Sequence, residues 1–220
     1  MIRLCWRRLA ASLVLAAVAI LANSASAGTL TPIGPFTGDF SDDFNRFSNV
    51  QAVQVLDVFS NHGVIRNLTS GGAIKVEFSS QLNGDLVVPI SGLMMGQLGI
   101  ARWEFNEPVS RFGGWWENNS GADDATATFF DSQGNSLGSM IARDPVQAQT
   151  WTWNGWESDV PVKSIQVVGN GLINGFIWYD NVQMTLAVPE PSAIGAMTVA
   201  SLWLCSRKRH GSPMPSITRS

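Results

Sequence analysis

Cysteine is almost missing from this 220-residue chain: the two present are Cys5 and Cys205. Neither falls within residues 28–188, so that stretch has no disulfide framework and no thiolate metal site. Histidine is as scarce. His62 is the single histidine of the same stretch, which excludes a His-rich zinc centre. It also leaves a serine hydrolase one base to use, in an apparent turn. No glycine loop followed by Lys-Ser/Thr is present to cradle a phosphate. Charged residues are few, 14% against roughly 25% in ordinary globular chains. No stretch offers ten residues of helical periodicity with caps. What is abundant is Gly (21), Phe (11) and Trp (9), which excludes a coiled coil, a collagen and an acidic disordered tail. Charge is divided along the chain. Residues 28–188 hold 7 Lys and Arg against 16 Asp and Glu, a balance of −9, while both ends are positive. A nucleic-acid binder would place its basic residues on the domain, and this chain does the reverse.

The ends read as addresses. Arg3, Arg7 and Arg8 precede an apolar run from Leu9 to Ala22, and Ala25-Ser26-Ala27 supplies a small-x-small cleavage site. Residues 1–27 are thus predicted to be a secretory signal cut between Ala27 and Gly28, the other reading being an uncleaved anchor. At the far end, Val188-Pro189-Glu190-Pro191-Ser192 leads into an uncharged, mostly apolar run from Ala193 to Cys205. Arg207-Lys208-Arg209 closes it. The prolines stop a helix from continuing backward, and the basic cluster stays cytoplasmic. As helix the run spans ~20 Å against ~30 Å of hydrocarbon, so a short transmembrane helix and a transient anchor are expected.

These three parts in this order resemble the PEP-CTERM sorting signal of bacteria that make extracellular polysaccharide. The resemblance implies a membrane processing enzyme of the exosortase type as partner, with Pro189, Glu190 and Pro191 as the recognised motif and Arg207, Lys208 and Arg209 as the stop. It covers residues 188–210. The chain departs from the family by running on through 211–220. Four inner segments, Gly72–Ser80, Arg111–Asn119, Trp151–Pro161 and Asn174–Asn181, resemble the β-sandwich ectodomains often placed ahead of this tail. That likeness implies fold and address and carries no site residues.

Turn signals punctuate the middle: Asn61-His62-Gly63, Ser70-Gly71-Gly72, Asn83-Gly84, Gly113-Gly114, Ser132-Gln133-Gly134-Asn135, Asn154-Gly155 and Gly169-Asn170-Gly171. Strands are predicted at 50–59, 73–79, 97–106, 125–131, 136–142, 149–153, 163–168 and 175–187, several with period-two alternation. Many short strands at even spacing predict one all-β domain over 28–187, a jelly-roll-like antiparallel β-sandwich.

Seven tryptophans lie in this domain, all beyond residue 100. Exposed aromatic faces take the apolar faces of sugar rings, whereas buried ones fill sandwich cores. Trp151 and Trp153 share a strand face, and Trp115 and Trp116 point oppositely. Trp115, Trp116 and Trp156 sit beside turn residues and are the expected glycan contacts. Asp42, Asp43 and Asp180 are candidate ligands for a structural calcium, because the first and last strands of a sandwich often meet. Asp131-Ser132-Gln133-Gly134-Asn135 lacks the distal Glu of a calcium loop and reads as a hairpin turn. Glu104, Glu107, Glu117, Glu157 and Asp159 are glycosidase candidates by residue type alone. The expectation is an exported, non-enzymatic cell-surface or extracellular-matrix protein, in transient contact with the inner membrane and with exopolysaccharide. The alternative is a secreted polysaccharide hydrolase or lyase.

Overall fold

The computed structural model describes residues 28–82, 84–122, 124–145, 150–171 and 174–188. Among them are fourteen strands: β1 (Leu30–Pro32), β2 (Phe40–Asp42), β3 (Val50–Val53), β4 (Val55–Val58), β5 (Gly63–Asn67), β6 (Ala73–Glu77), β7 (Ser80–Leu82), β8 (Asp85–Val87), β9 (Met94–Leu98), β10 (Ala101–Asn118), β11 (Ala125–Phe130), β12 (Ser136–Ala142), β13 (Thr152–Gly169) and β14 (Phe176–Leu186). A 3-10 turn, Phe59–Asn61, follows β4. Every pairing between described strands is antiparallel. The chain divides into two compact units at the Ala187–Val188 junction, and the strands lie in the first.

Two long strands make the sheet fold over on itself. Trp103 and Phe112 are nine residues apart on β10, a separation of ~30 Å in a straight strand. Their ring centroids are 5.2 Å apart. The bend falls where the register against β13 shifts, between Glu104 and Val109 and again before Arg111. Pro108, which has no N–H to give the ladder, lies there. β13 bends in the same way around Pro161: Phe129 stands opposite Ile165 in the ladder, yet its ring lies 5.4 Å from that of Trp156. One layer is therefore β4, β5, the first part of β10, the last part of β13, β11 and β12. The other is β1, the first part of β13, the second part of β10, β14, β9, β6 and β3, with β2 beside β14.

Between the layers Trp103, Phe105, Phe112, Trp116, Phe129, Trp156, Ile165, Val167 and Tyr179 form the core. Trp116 and Trp103 meet Tyr179 at 4.7 and 5.3 Å. The Tyr179 hydroxyl donates to buried Gln97 Oε1 at 2.6 Å.

The predicted strands at 125–131 and 136–142 stand nearly as read. Two predicted turns do not. Gly113-Gly114 and Asn154-Gly155 lie inside β10 and β13, facing each other across the ladder. Their glycines make room rather than turns. A Cβ on Gly155 would fall 2.6 Å from Trp153 Nε1, and one on Gly114 would fall 2.7 Å from Val182 Cγ1. The short edge strands β1 and β2 carry too few residues to show periodicity.

Candidate functional site

The second layer has an outer face built from rows of directly opposed residues. Opposed residues share a face. Arg111 opposes both Glu157 and Thr185, and Thr31 opposes Glu157. Gly113 opposes Gly155, and Trp115 opposes both Trp153 and Asp180. Alternation sends Phe112, Trp116 and Trp156 to the core, so these outer rows belong to solvent or to whatever covers them.

One half of that face is roofed. Val87, Met94, Phe176 and Trp178 make a second buried cluster with Leu98 and Trp151 against it. Strand β8 supplies Val87, and Trp151 Nε1 donates to Val88 O at 2.9 Å. The indole N–H of Trp178 donates to Asn119 Oδ1.

The other half is open. Trp153 lies down over the glycine row, with Gly113 and Gly155 beneath it and its Nε1 donating to Ile33 O at 3.0 Å. Trp115 stands against it at 5.7 Å and 73°, and Phe36 at 5.9 Å and 87°. All three rings are half-buried. Beside them Arg111 Nε and Nη2 converge on Glu157 Oε1 at 2.9 and 2.7 Å, with both side chains over 40% exposed. Among the described residues Glu157 Oε2 and Arg111 Nη1 have no hydrogen-bond partner. Farther along β13 an open groove of about 380 Å³ is lined by Thr29, Thr31, Glu157, Ser158 and Asp159. Asp159 Oδ1 accepts the Thr29 N–H at 2.6 Å.

Of the predicted glycan contacts, Trp115 alone is on this face. Trp116 and Trp156 are buried at 0% and 3% exposure. The residues beside them are strand rather than turn, and strand alternation turns both inward. The ring that shares the open face with Trp115 is Trp153. Its pairing with Trp151 on one strand face was legible, but its partner across the ladder was not.

The calcium candidates are corrected as well. β2 and β14 do pair, with Asp42 opposite Val182, yet the three carboxylates are engaged separately. Asp42 is buried, accepts the N–H groups of Phe44 (3.0 Å) and Phe59 (2.7 Å) and pairs with Arg46. Asp43 is exposed and accepts from Asn45. Asp180 accepts from Ile90 N at 2.8 Å, Ser91 N at 3.3 Å and Asn181 N at 2.7 Å. Burial pushes its carboxyl up to about 6, with Asp43 nearby adding to the effect. Among the described residues no group of three or more His, Cys, Asp or Glu side chains is placed to hold a metal. The 131–135 segment is a hairpin turn, as its residues predict: Asp131 accepts Gln133 N and Asn135 N, and hydrogen bonds led by the Asn135 side chain hold its carboxyl below the usual range.

Of the glycosidase candidates, Glu157 and Asp159 line one groove, and Glu117 is buried on β10 opposite Trp178. Glu104 sits on the other layer, 3.6 Å from Arg66, and Glu107 is exposed near the bend of β10. Glu157 and Asp159 lie two residues apart on one face of β13, the first paired with Arg111 and the second accepting the Thr29 N–H. A Gly-x-Ser-x-Gly spacing occurs at 134–138, but it joins two strands of a hairpin, not a strand and a helix. His62 is stacked on Phe40 at 3.7 Å. The cleavage residues Ala25 and Ala27, the motif Pro189, Glu190 and Pro191, the apolar span and the stop Arg207, Lys208 and Arg209 lie outside the described residues. Gly28 lies within them, against Val160 and Asp159.

The class defined so far is an antiparallel all-β sandwich with an aromatic and polar strip on one outer face. No family model and no curated protein matches the chain. The solved structures to which it is similar at low identity include these three. The first holds the N-terminal CBM22 and GH10 modules of Clostridium thermocellum endo-1,4-β-D-xylanase 10B, complexed with xylohexaose (12% identity, 64% of this chain, 29% of that one, TM-score 0.38). The second is the N-terminal CBM22 tandem domain of Xyn10C from Paenibacillus barcinonensis (14%, 73% and 50%, 0.39). The third is a DUF4465 family protein from Bacteroides caccae (12%, 74% and 95%, 0.40). The chain spans half or less of the first two structures.

Proposed function

We propose that this is an exported, non-enzymatic protein of the cell surface or extracellular matrix, a jelly-roll-like sandwich that contacts polysaccharide through the strip on its outer face. The observation that carries the reading is the Trp115–Trp153 pair seated beside the Arg111–Glu157 ion pair. Sugars are amphipathic: their C–H faces stack on indoles, and their hydroxyls both donate to and accept from charged groups. The exposed strip offers both within one cross-strand neighbourhood. The sorting reading of the sequence supplies the address: cleavage before Gly28, a transient stop in the inner membrane, and processing at Pro189-Glu190-Pro191 by an exosortase-type enzyme.

Affinity electrophoresis of the 28–188 domain in gels containing polysaccharide tests the contact. Retention is expected, and Trp115→Ala and Trp153→Ala each should weaken it at least tenfold, a loss of ~1.4 kcal/mol. Their urea midpoints report whether the fold survives. Equal retention by both folded variants would refute the strip as the site.

A further inference from the structure

We infer that the strip takes an uncharged glycan chain laid lengthwise along β13, from the Trp153 ring toward Asp159; the inference rests on the polysaccharide reading above and names its ligand class. Three observations carry it. The strip has a gradient: rings at one end (Phe36, Trp115, Trp153), the Arg111–Glu157 pair in the middle, and an open groove with two threonines and Asp159 at the other. From Trp153 to Asp159 is six residues, ~20 Å along a strand, which is several linked pyranose rings rather than one.

The field is also one-sided. The one cation of the strip, Arg111, already has its Nε and Nη2 on Glu157. Asp159 lines the groove beyond it, and Asp180 stands on the other side of Trp115. Asp159 lies in the groove itself, inside the ~10 Å Debye length at ~0.1 M salt, so salt screens it only in part. With residues 28–188 at a balance of −9, a uronate-bearing or sulfated chain would meet repulsion along its length. A hydroxyl-only chain meets acceptors and donors and no like charge. Discrimination here is a matter of unfavourable charge against the wrong ligand as much as of contacts to the right one.

The test is affinity electrophoresis with a chelator present, using hydroxyethyl cellulose, xylan and dextran as neutral probes and alginate and polygalacturonate as anionic ones. The expected result is retention by at least one neutral chain and by neither uronate. Retention by the neutral chain should strengthen as its oligosaccharides lengthen from two to six sugars. The variant Glu157→Gln/Asp159→Asn keeps the shape and one accepting oxygen at each position and removes two charges, so uronate retention should rise severalfold. Retention of wild-type protein by a uronate, equal to or stronger than by any neutral chain, overturns this inference and leaves the polysaccharide reading standing. Absence of retention by every probe overturns both.

Discussion

Asp42 shows how a single carboxylate can hold a strained corner. Phe44 and Phe59 are both in the left-handed region, at φ 59° and 53°, with Ser60 and Asn61 following Phe59 there. Large side chains adopt that conformation only when the surroundings over-determine it. Here both phenylalanines are buried, and their N–H groups reach opposite oxygens of Asp42, itself 2% exposed. Asp42→Asn would set an amide donor against a backbone donor and break the pair with Arg46. The expected loss is ~3 kcal/mol of unfolding free energy by urea titration. Asp180 acts in the opposite sense. Its folded carboxyl is raised to about 6 from an ordinary 3.8, so the native state binds the proton more tightly than the unfolded chain. Its contribution is full below about pH 4 and is lost as pH climbs through 6. At ~1.4 kcal/mol per pH unit, the stability of wild type relative to Asp180→Asn should fall by up to ~3 kcal/mol between pH 4 and 7. Parallel curves for the two proteins would contradict this.

At the scale of elements, the paired strands β10 and β13 decide what the surface presents. Gly113 and Gly155 oppose each other, and the Trp153 ring fills the space their absent side chains leave. Gly155→Ala would push a methyl into Trp153 Nε1 and Ile33 O, 2.6 and 2.9 Å away. The Trp153 ring must lift and its bond to Ile33 break, at ~1–3 kcal/mol. The variant is expected to fold, to shift its tryptophan emission, and to lose polysaccharide retention as Trp153→Ala does. Gly134→Ala is the contrasting case, since nothing lies near that Cβ. Its φ of +83° limits the expected cost to ~1 kcal/mol, with retention unchanged. The turns at 131–135 were legible because Asp, Gly and Asn act locally there. Gly113 of β10 and Gly155 of β13 carry the same letters but make room for the Trp153 ring across the paired strands, so local grammar misread them.

For the whole molecule, charge and address go together. A domain at −9 between two cationic ends would resist adhesion to anionic surfaces if the proposed processing removed those ends. Mass spectrometry of the surface-localised protein is expected to show an N-terminus at Gly28 and no peptide from Arg207 to Ser220. Recovery of that peptide from surface protein would refute tail processing. Seven tryptophans and a low charged fraction implied a large apolar interior without disulfides, and the two layers of the sandwich supply it, with Trp103, Trp116, Trp156 and Tyr179 at its centre.

Composition and turn chemistry alone determined that the middle of this chain is all-β, cysteine-free and acidic, because those properties are local or additive. They also determined that Trp115 and Trp116 point apart, since a strand has period two. Which of the two meets solvent was decided by tertiary structure. β10 and β13 run straight through their glycines and bend instead at Pro108 and Pro161. That register sends Trp116 and Trp156 inward and sets Trp153, rather than either of them, beside Trp115. A residue's face depends on which strand lies across the ladder, and no run of letters records that the partner of Trp115 is Trp153, 38 positions away.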